Sequence, residues 1–111
     1  MITTHVLDTG RGIPAVGMTV ILEMRQASEW SPIGRGTTDA QGRVVSLTEG
    51  LPFSPGTYRL TFDTGAYHRD QSIPTPFFSE VTITFSVRDT DVPYHVPLLL
   101  SPFGYSTYRG T

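Results

Sequence analysis

Apolar and polar residues alternate along most of this chain in short runs, and the clearest run is Val81-Thr82-Ile83-Thr84-Phe85-Ser86-Val87. A strand places successive side chains on opposite faces, so Val81, Ile83, Phe85 and Val87 are expected to face a core while Thr82, Thr84 and Ser86 face water. The same period of two recurs in Met18, Val20, Leu22 and Met24, and again in Tyr58, Leu60 and Phe62 after the Ser54-Pro55-Gly56 turn. Weaker alternation marks Ile2 to Asp8, Ser31 to Gly36, Arg43 to Val45, Tyr94 to Leu100 and Gly104 to Arg109. Glycine or proline stands where the chain must reverse, in Thr9-Gly10-Arg11-Gly12, Asp39-Ala40-Gln41-Gly42 and Ser101-Pro102-Phe103-Gly104. About seven or eight short strands with such turns read as an all-β sandwich or barrel. The alternation fails only at Asp63 to Asp70, where an Asp or Thr cap precedes Ala, Tyr and Arg. One short helix is expected there, ended by the prolines at 74 and 76.

Composition narrows the class without naming an activity. A chain of 111 residues fits one domain spanning 1–111, and 38% hydrophobic residues with 16% charged ones describe a folding sequence. The eight basic residues are all arginines, spread from Arg11 to Arg109, and the net charge is −2, so no footprint for nucleic acid is present. No apolar run approaches the ~20 residues that span a bilayer, which excludes a membrane helix. The first residues, Met-Ile-Thr-Thr-His, show neither a basic nor an apolar leader region, and the expected location is cytoplasmic. With no cysteine, neither a disulfide nor a thiolate metal site can support the core.

Parity locates candidate chemistry. Tyr94, Val96, Leu98 and Leu100 share one face of their strand, and His95, Pro97 and Leu99 share the other. Both faces are largely apolar, which implies that a second subunit covers the outer one. In Ile2 to Asp8 the corresponding set is Thr3, His5 and Leu7. If the two strands share a sheet, His5 and His95 project into an intersubunit groove, with Ser106 and Tyr108 of the last strand along its wall. Arg43, just after a turn, stands at the mouth of that groove. Arg109 has the opposite parity to Tyr108 and is expected to pair structurally with a carboxylate. Trp30 reads as a packing residue, and His68, in the short helix, as structural.

Five separated segments carry a family resemblance: Thr4-His5-Val6-Leu7-Asp8, Asp39 to Arg43, Phe62 to Tyr67, Tyr94 to Pro102 and Tyr108-Arg109-Gly110-Thr111. In order, they resemble the 5-hydroxyisourate hydrolases, the transthyretin-related enzymes of urate breakdown. The resemblance implies a transthyretin-like sandwich of two four-stranded sheets with one short helix, assembled as a homotetramer (a dimer of dimers) with active sites between dimers. It implies hydrolysis of 5-hydroxyisourate to 2-oxo-4-hydroxy-4-carboxy-5-ureidoimidazoline, with no metal and no organic cofactor. By motif, the catalytic residues fall on His5, Arg43 and His95, and substrate binding on Tyr108 and Thr111. The family's closing tetrapeptide usually ends in Ser; here Thr111 keeps the hydroxyl and adds a methyl.

These residue types suit the reaction. Opening a cyclic acyl bond needs a base for water, a positive group for the oxyanion and a proton for the leaving nitrogen. Either histidine can serve as the base, and Arg43 remains cationic with a planar fork of donors. Alone, strand histidines and an arginine after a turn are commonly structural, so the resemblance carries the assignment. The three histidines lack the spacing of a zinc site. A competing reading is a transthyretin-type carrier of a hydrophobic hormone, against which His5, His95 and Tyr108 narrow and polarise the channel. A purely structural module is a third, opposed by the absence of linkers and repeats.

Overall fold

A computed structural model describes residues 1–111. Nine strands and one helix follow in the order β1 (Ile2–Asp8), β2 (Ile13–Pro14), β3 (Thr19–Gln26), β4 (Glu29–Thr37), β5 (Arg43–Val44), β6 (Gly56–Phe62), α1 (Thr64–Asp70), β7 (Val81–Val87), β8 (Tyr94–Ser101) and β9 (Gly104–Thr107). One sheet runs β4-β3-β6-β7. The other runs β2-β1-β8-β9, and β5 also pairs with β1, so it has five strands rather than four. The extra strand is the two-residue β2, too short for alternation to reveal. No helix is long and apolar enough to cross a membrane.

The period of two becomes the two faces of the sheets. Val20, Leu22, Leu60, Phe62, Ile2, Val6, Leu98 and Leu100 are fully buried between them. Removing that apolar surface from water is the main stabilising term. The expected inward set of β7 is present, but Ile83 and Phe85 are only half-buried, because β7 is an edge strand. The expected last strand stops at Thr107; beyond it a single bridge pairs Gly110 with His95. Trp30 packs as expected, in this case under the Arg59 guanidinium, which also meets Glu23 at 2.7 Å.

Strand β1 lies parallel to β8 over its whole length, from Ile2 opposite Tyr94 to Asp8 opposite Leu100. The helix supports the far end of this pair. Asp63 caps it by accepting from the Ala66 N–H, and the Tyr67 hydroxyl donates to Asp8 Oδ2 at 2.7 Å in the interior. Burial and the Asp8 carboxylate push the Tyr67 phenol well up, so it keeps its proton as the donor.

His68, on the same helix, is 1% exposed, and neither ring nitrogen has a hydrogen-bond partner. Burial holds its pKa below 6.5, against a smaller opposing effect of Asp8. Protons therefore bind the unfolded chain more readily, and this residue's contribution to stability is greatest above pH 6.5 and falls as pH drops below it. An unsatisfied buried polar group costs about 1–3 kcal/mol. His68→Phe is expected to raise stability by about 1 kcal/mol or more at neutral pH and to flatten the decline below pH 6.5. Urea titrations of both proteins from pH 7.5 to 5 test this; a less stable variant at every pH would contradict it.

Candidate active site

The outward face of β1 carries Thr3, His5 and Leu7, and the parallel register sets Thr3 beside His95, His5 beside Pro97 and Leu7 beside Leu99. On the other side of β1, antiparallel pairing with β5 places Arg43 directly opposite His5. Three of the five expected site residues, distant in sequence, thus share one neighbourhood. Ser106 pairs with Leu99, which puts it on the same outward face.

A tight turn holds the His5 and Arg43 part of this cluster. Asp39 Oδ1 accepts from the Gln41 N–H at 2.8 Å and the Arg43 N–H at 3.0 Å. Those two bonds are the main reason its carboxyl lies below its ordinary pKa, despite being exposed. Gly42 closes the turn at φ +78°, and a Cβ there would meet the Val6 carbonyl oxygen at 2.4 Å, so only glycine fits. In consequence the Gln41 carbonyl sits 2.8 Å from His5 Nε2. A carbonyl only accepts, so Nε2 carries a proton, and in neutral His5 the lone pair is on Nδ1.

His95 is held differently. Its Nδ1 lies 2.8 Å from the Thr3 hydroxyl. On the opposite ring edge the terminal segment passes so close that a Cβ at Gly110 would stand 2.6 Å from Cδ2, and the Gly110 N–H donates to the His95 carbonyl at 2.8 Å. Burial, and then the charges of Arg43 and His5, hold the His95 pKa below its ordinary value. The imidazole is therefore neutral at neutral pH and able to accept a proton.

The terminal segment brings Tyr108 to the margin of this face; Tyr108, at 58%, and Thr111 are both exposed. Arg109 turns the other way, as its parity predicts, but its partner is not a carboxylate. Its guanidinium lies 4.6 Å from the centre of the Tyr94 ring, and Tyr94 is itself anchored through its hydroxyl to the backbone at Arg88 and Asp89. A cavity of about 230 Å³ opens beside the segment at the sandwich edge, bounded by Ile83, Phe85, Tyr94, Val96 and Arg109 and sharing His95 and Tyr108 with the outward face. Its lining is mostly apolar, whereas Arg43 and His5 stand on the outward face with His95.

Thr3, Asp39, Gln41 and Gly110 also shape this cluster, beyond the site residues expected from the sequence. Asp39 carried a recognisable signal, an Asp two residues before a backbone N–H in a glycine turn. Thr3 and Gly110 carried none, since their roles arise from contacts across strands.

The fold and this polar face define a transthyretin-type sandwich protein with an ionisable site on its outer sheet. A family model described as the HIUase/Transthyretin family matches residues 2–110, and the chain belongs to that family. It is similar to the 5-hydroxyisourate hydrolase of Salmonella typhi, 41% identical over 111 residues, covering all of this chain and 81% of the relative. It is similar also to 5-hydroxyisourate hydrolase 2 of Rhizobium meliloti, 46% identical over 114 residues, covering 99% of this chain and 95% of the relative. Among solved structures, sea bream transthyretin in complex with thyroxine superposes with a TM-score of 0.92 at 33% identity, covering 99% and 94% of the two chains. Klebsiella pneumoniae 5-hydroxyisourate hydrolase superposes with 0.86 at 34%, covering 99% and 97%. A thyroxine-binding protein and an enzyme share this fold, so side chains must distinguish them.

Gly110→Ala is expected to displace the His95 ring, because the added Cβ would stand 2.6 Å from Cδ2. The His95 imidazole resonances should shift in the variant. Unmoved resonances would contradict close packing of the terminal segment on the ring.

Proposed function

We infer that this protein hydrolyses 5-hydroxyisourate to 2-oxo-4-hydroxy-4-carboxy-5-ureidoimidazoline, a step of urate breakdown. The observation that carries the reading is the convergence of His5, Arg43 and His95 on one outward face, in a family whose similar members are hydrolases of that compound. The same polar groups oppose the alternative, carriage of a bulky apolar ligand, because burying them unpaired against such a ligand is costly.

We assign the base to His95, since burial and its cationic neighbours favour the neutral imidazole. His95 takes a proton from water as the water oxygen bonds to the ring acyl carbon. Arg43 holds the developing oxyanion through its donors. When the tetrahedral centre collapses, the C–N bond breaks and the leaving nitrogen takes up a proton from the imidazolium. His5, donating through Nε2 to Gln41, orients the substrate with its remaining nitrogen. Tyr108 covers the substrate, and the Thr111 hydroxyl binds it or the attacking water. The half-buried outer position Leu99, together with exposed Ile13, Val16 and Phe103, supports a homotetramer in which a second subunit closes the groove.

Decay of 5-hydroxyisourate generated freshly from urate by a uricase should accelerate over the buffer rate when the protein is added. No acceleration would overturn the reading. His95→Ala should lower kcat by about 100- to 10,000-fold, the range for loss of a general base. Arg43→Ala should lower it by about 100- to 1,000-fold, as for an oxyanion donor. Wild-type rates in both variants would remove the site.

The pH dependence has a definite sign. Because the His95 pKa is held below its ordinary value, the midpoint of the acid limb of the rate should lie below pH 6.5. An acid limb centred above pH 6.5 would exclude His95 as the base. Light scattering at working concentration should report four subunits; a monomer would contradict the shared groove.

A further inference from the structure

We propose that Thr3 is a positioning residue for His95, its hydroxyl accepting the Nδ1 proton so that the Nε2 lone pair projects from the outward face. The proposal rests on the hydrolase reading above and extends it to a residue outside the His5, Arg43 and His95 set.

The geometry constrains the ring on both edges. The Thr3 hydroxyl meets Nδ1 at 2.8 Å, and the Gly110 backbone lies against Cδ2. These contacts leave the Cε1–Nε2 tip, and no hydrogen bond within the chain engages Nε2. The parallel register fixes this arrangement, because Thr3 is the residue directly beside His95.

A neutral imidazole carries one proton, and the hydroxyl of Thr3 can donate or accept, so contact alone leaves two tautomers. Two features select one. The tip emerges on the face that also carries the Arg43 guanidinium and His5, where a lone pair is favoured over an N–H dipole. Nδ1, by contrast, has a hydroxyl oxygen within reach to accept its proton. The base therefore has its proton on the protein side and its lone pair on the solvent side before substrate arrives. Thr3 touches no reacting atom in this arrangement; it acts through the ring.

Long-range 1H–15N NMR of protein labelled at histidine, with His95 assigned by loss of its signals in His95→Gln, reads the tautomer directly. Wild-type His95 should carry its proton on Nδ1. Thr3→Val removes the hydroxyl at nearly constant shape and suits a strand. It should shift His95 towards the Nε2–H form and lower kcat on 5-hydroxyisourate roughly tenfold, the scale of one hydrogen bond read as rate. KM should change less than about twofold, since the lost interaction acts on the chemical step. Thr3→Ser, which restores the hydroxyl, should recover both tautomer and most of the rate. If Thr3→Val fails to fold, Thr3→Ala supplies the same comparison.

A wild-type His95 protonated on Nε2 would overturn the proposal whatever the rates. So would an unchanged tautomer or an unchanged kcat in Thr3→Val. Absence of hydrolase activity in the wild type would remove the functional reading instead, and the NMR measurement would still decide the state of the ring.

Discussion

The parallel pairing of β1 with β8 is the constraint from which the rest follows. Seven consecutive residues of the first strand lie beside seven near the end of the chain, from Ile2 and Tyr94 to Asp8 and Leu100. One face of this pair supplies Ile2, Val6, Leu98 and Leu100 to the core, and the other carries His5 and His95. Core and site are thus two sides of the same ladder. A slip of one residue would exchange them, so burial of the inner set specifies the register that assembles the outer one.

The supports of the two histidines differ in kind. His5 rests on a backbone carbonyl held by the Asp39 turn, whose glycine at 42 tolerates the close approach of Val6. His95 is enclosed between a side-chain hydroxyl and the terminal glycine. Opposite ring nitrogens are engaged in the two cases, Nε2 in His5 and Nδ1 in His95. A pair of chemically identical side chains is thereby given different hydrogen-bonding environments.

The sandwich itself does not distinguish an enzyme from a thyroxine-binding protein, since it superposes on both a transthyretin and a hydrolase with TM-scores of 0.92 and 0.86. The hydrolase reading rests on a small number of polar groups that the fold brings together on the outer sheet. Arg109 shows how the rest of the terminal segment serves that face indirectly. Stacked on Tyr94, it anchors the segment from the inner side, so that Tyr108 and Gly110 can reach the outer one.

Alternation alone determined the β architecture, the inward sets of β3, β6, β7 and β8, and the short helix capped by Asp63, because these follow from local periodicity and turn chemistry. It also assigned His5, His95 and Tyr108 to outward positions, and Arg109 to the opposite side. Residue types could not reveal that β1 and β8 are neighbours, since parallel partners 92 residues apart in register leave no local mark. For the same reason β2 passed unnoticed, and Arg109 was paired in expectation with a charge instead of a ring. The contact of Thr3 with His95 and the place of Gly110 beside the imidazole are tertiary facts. They depend on which strands meet and in what register, and burial of the whole core decides that.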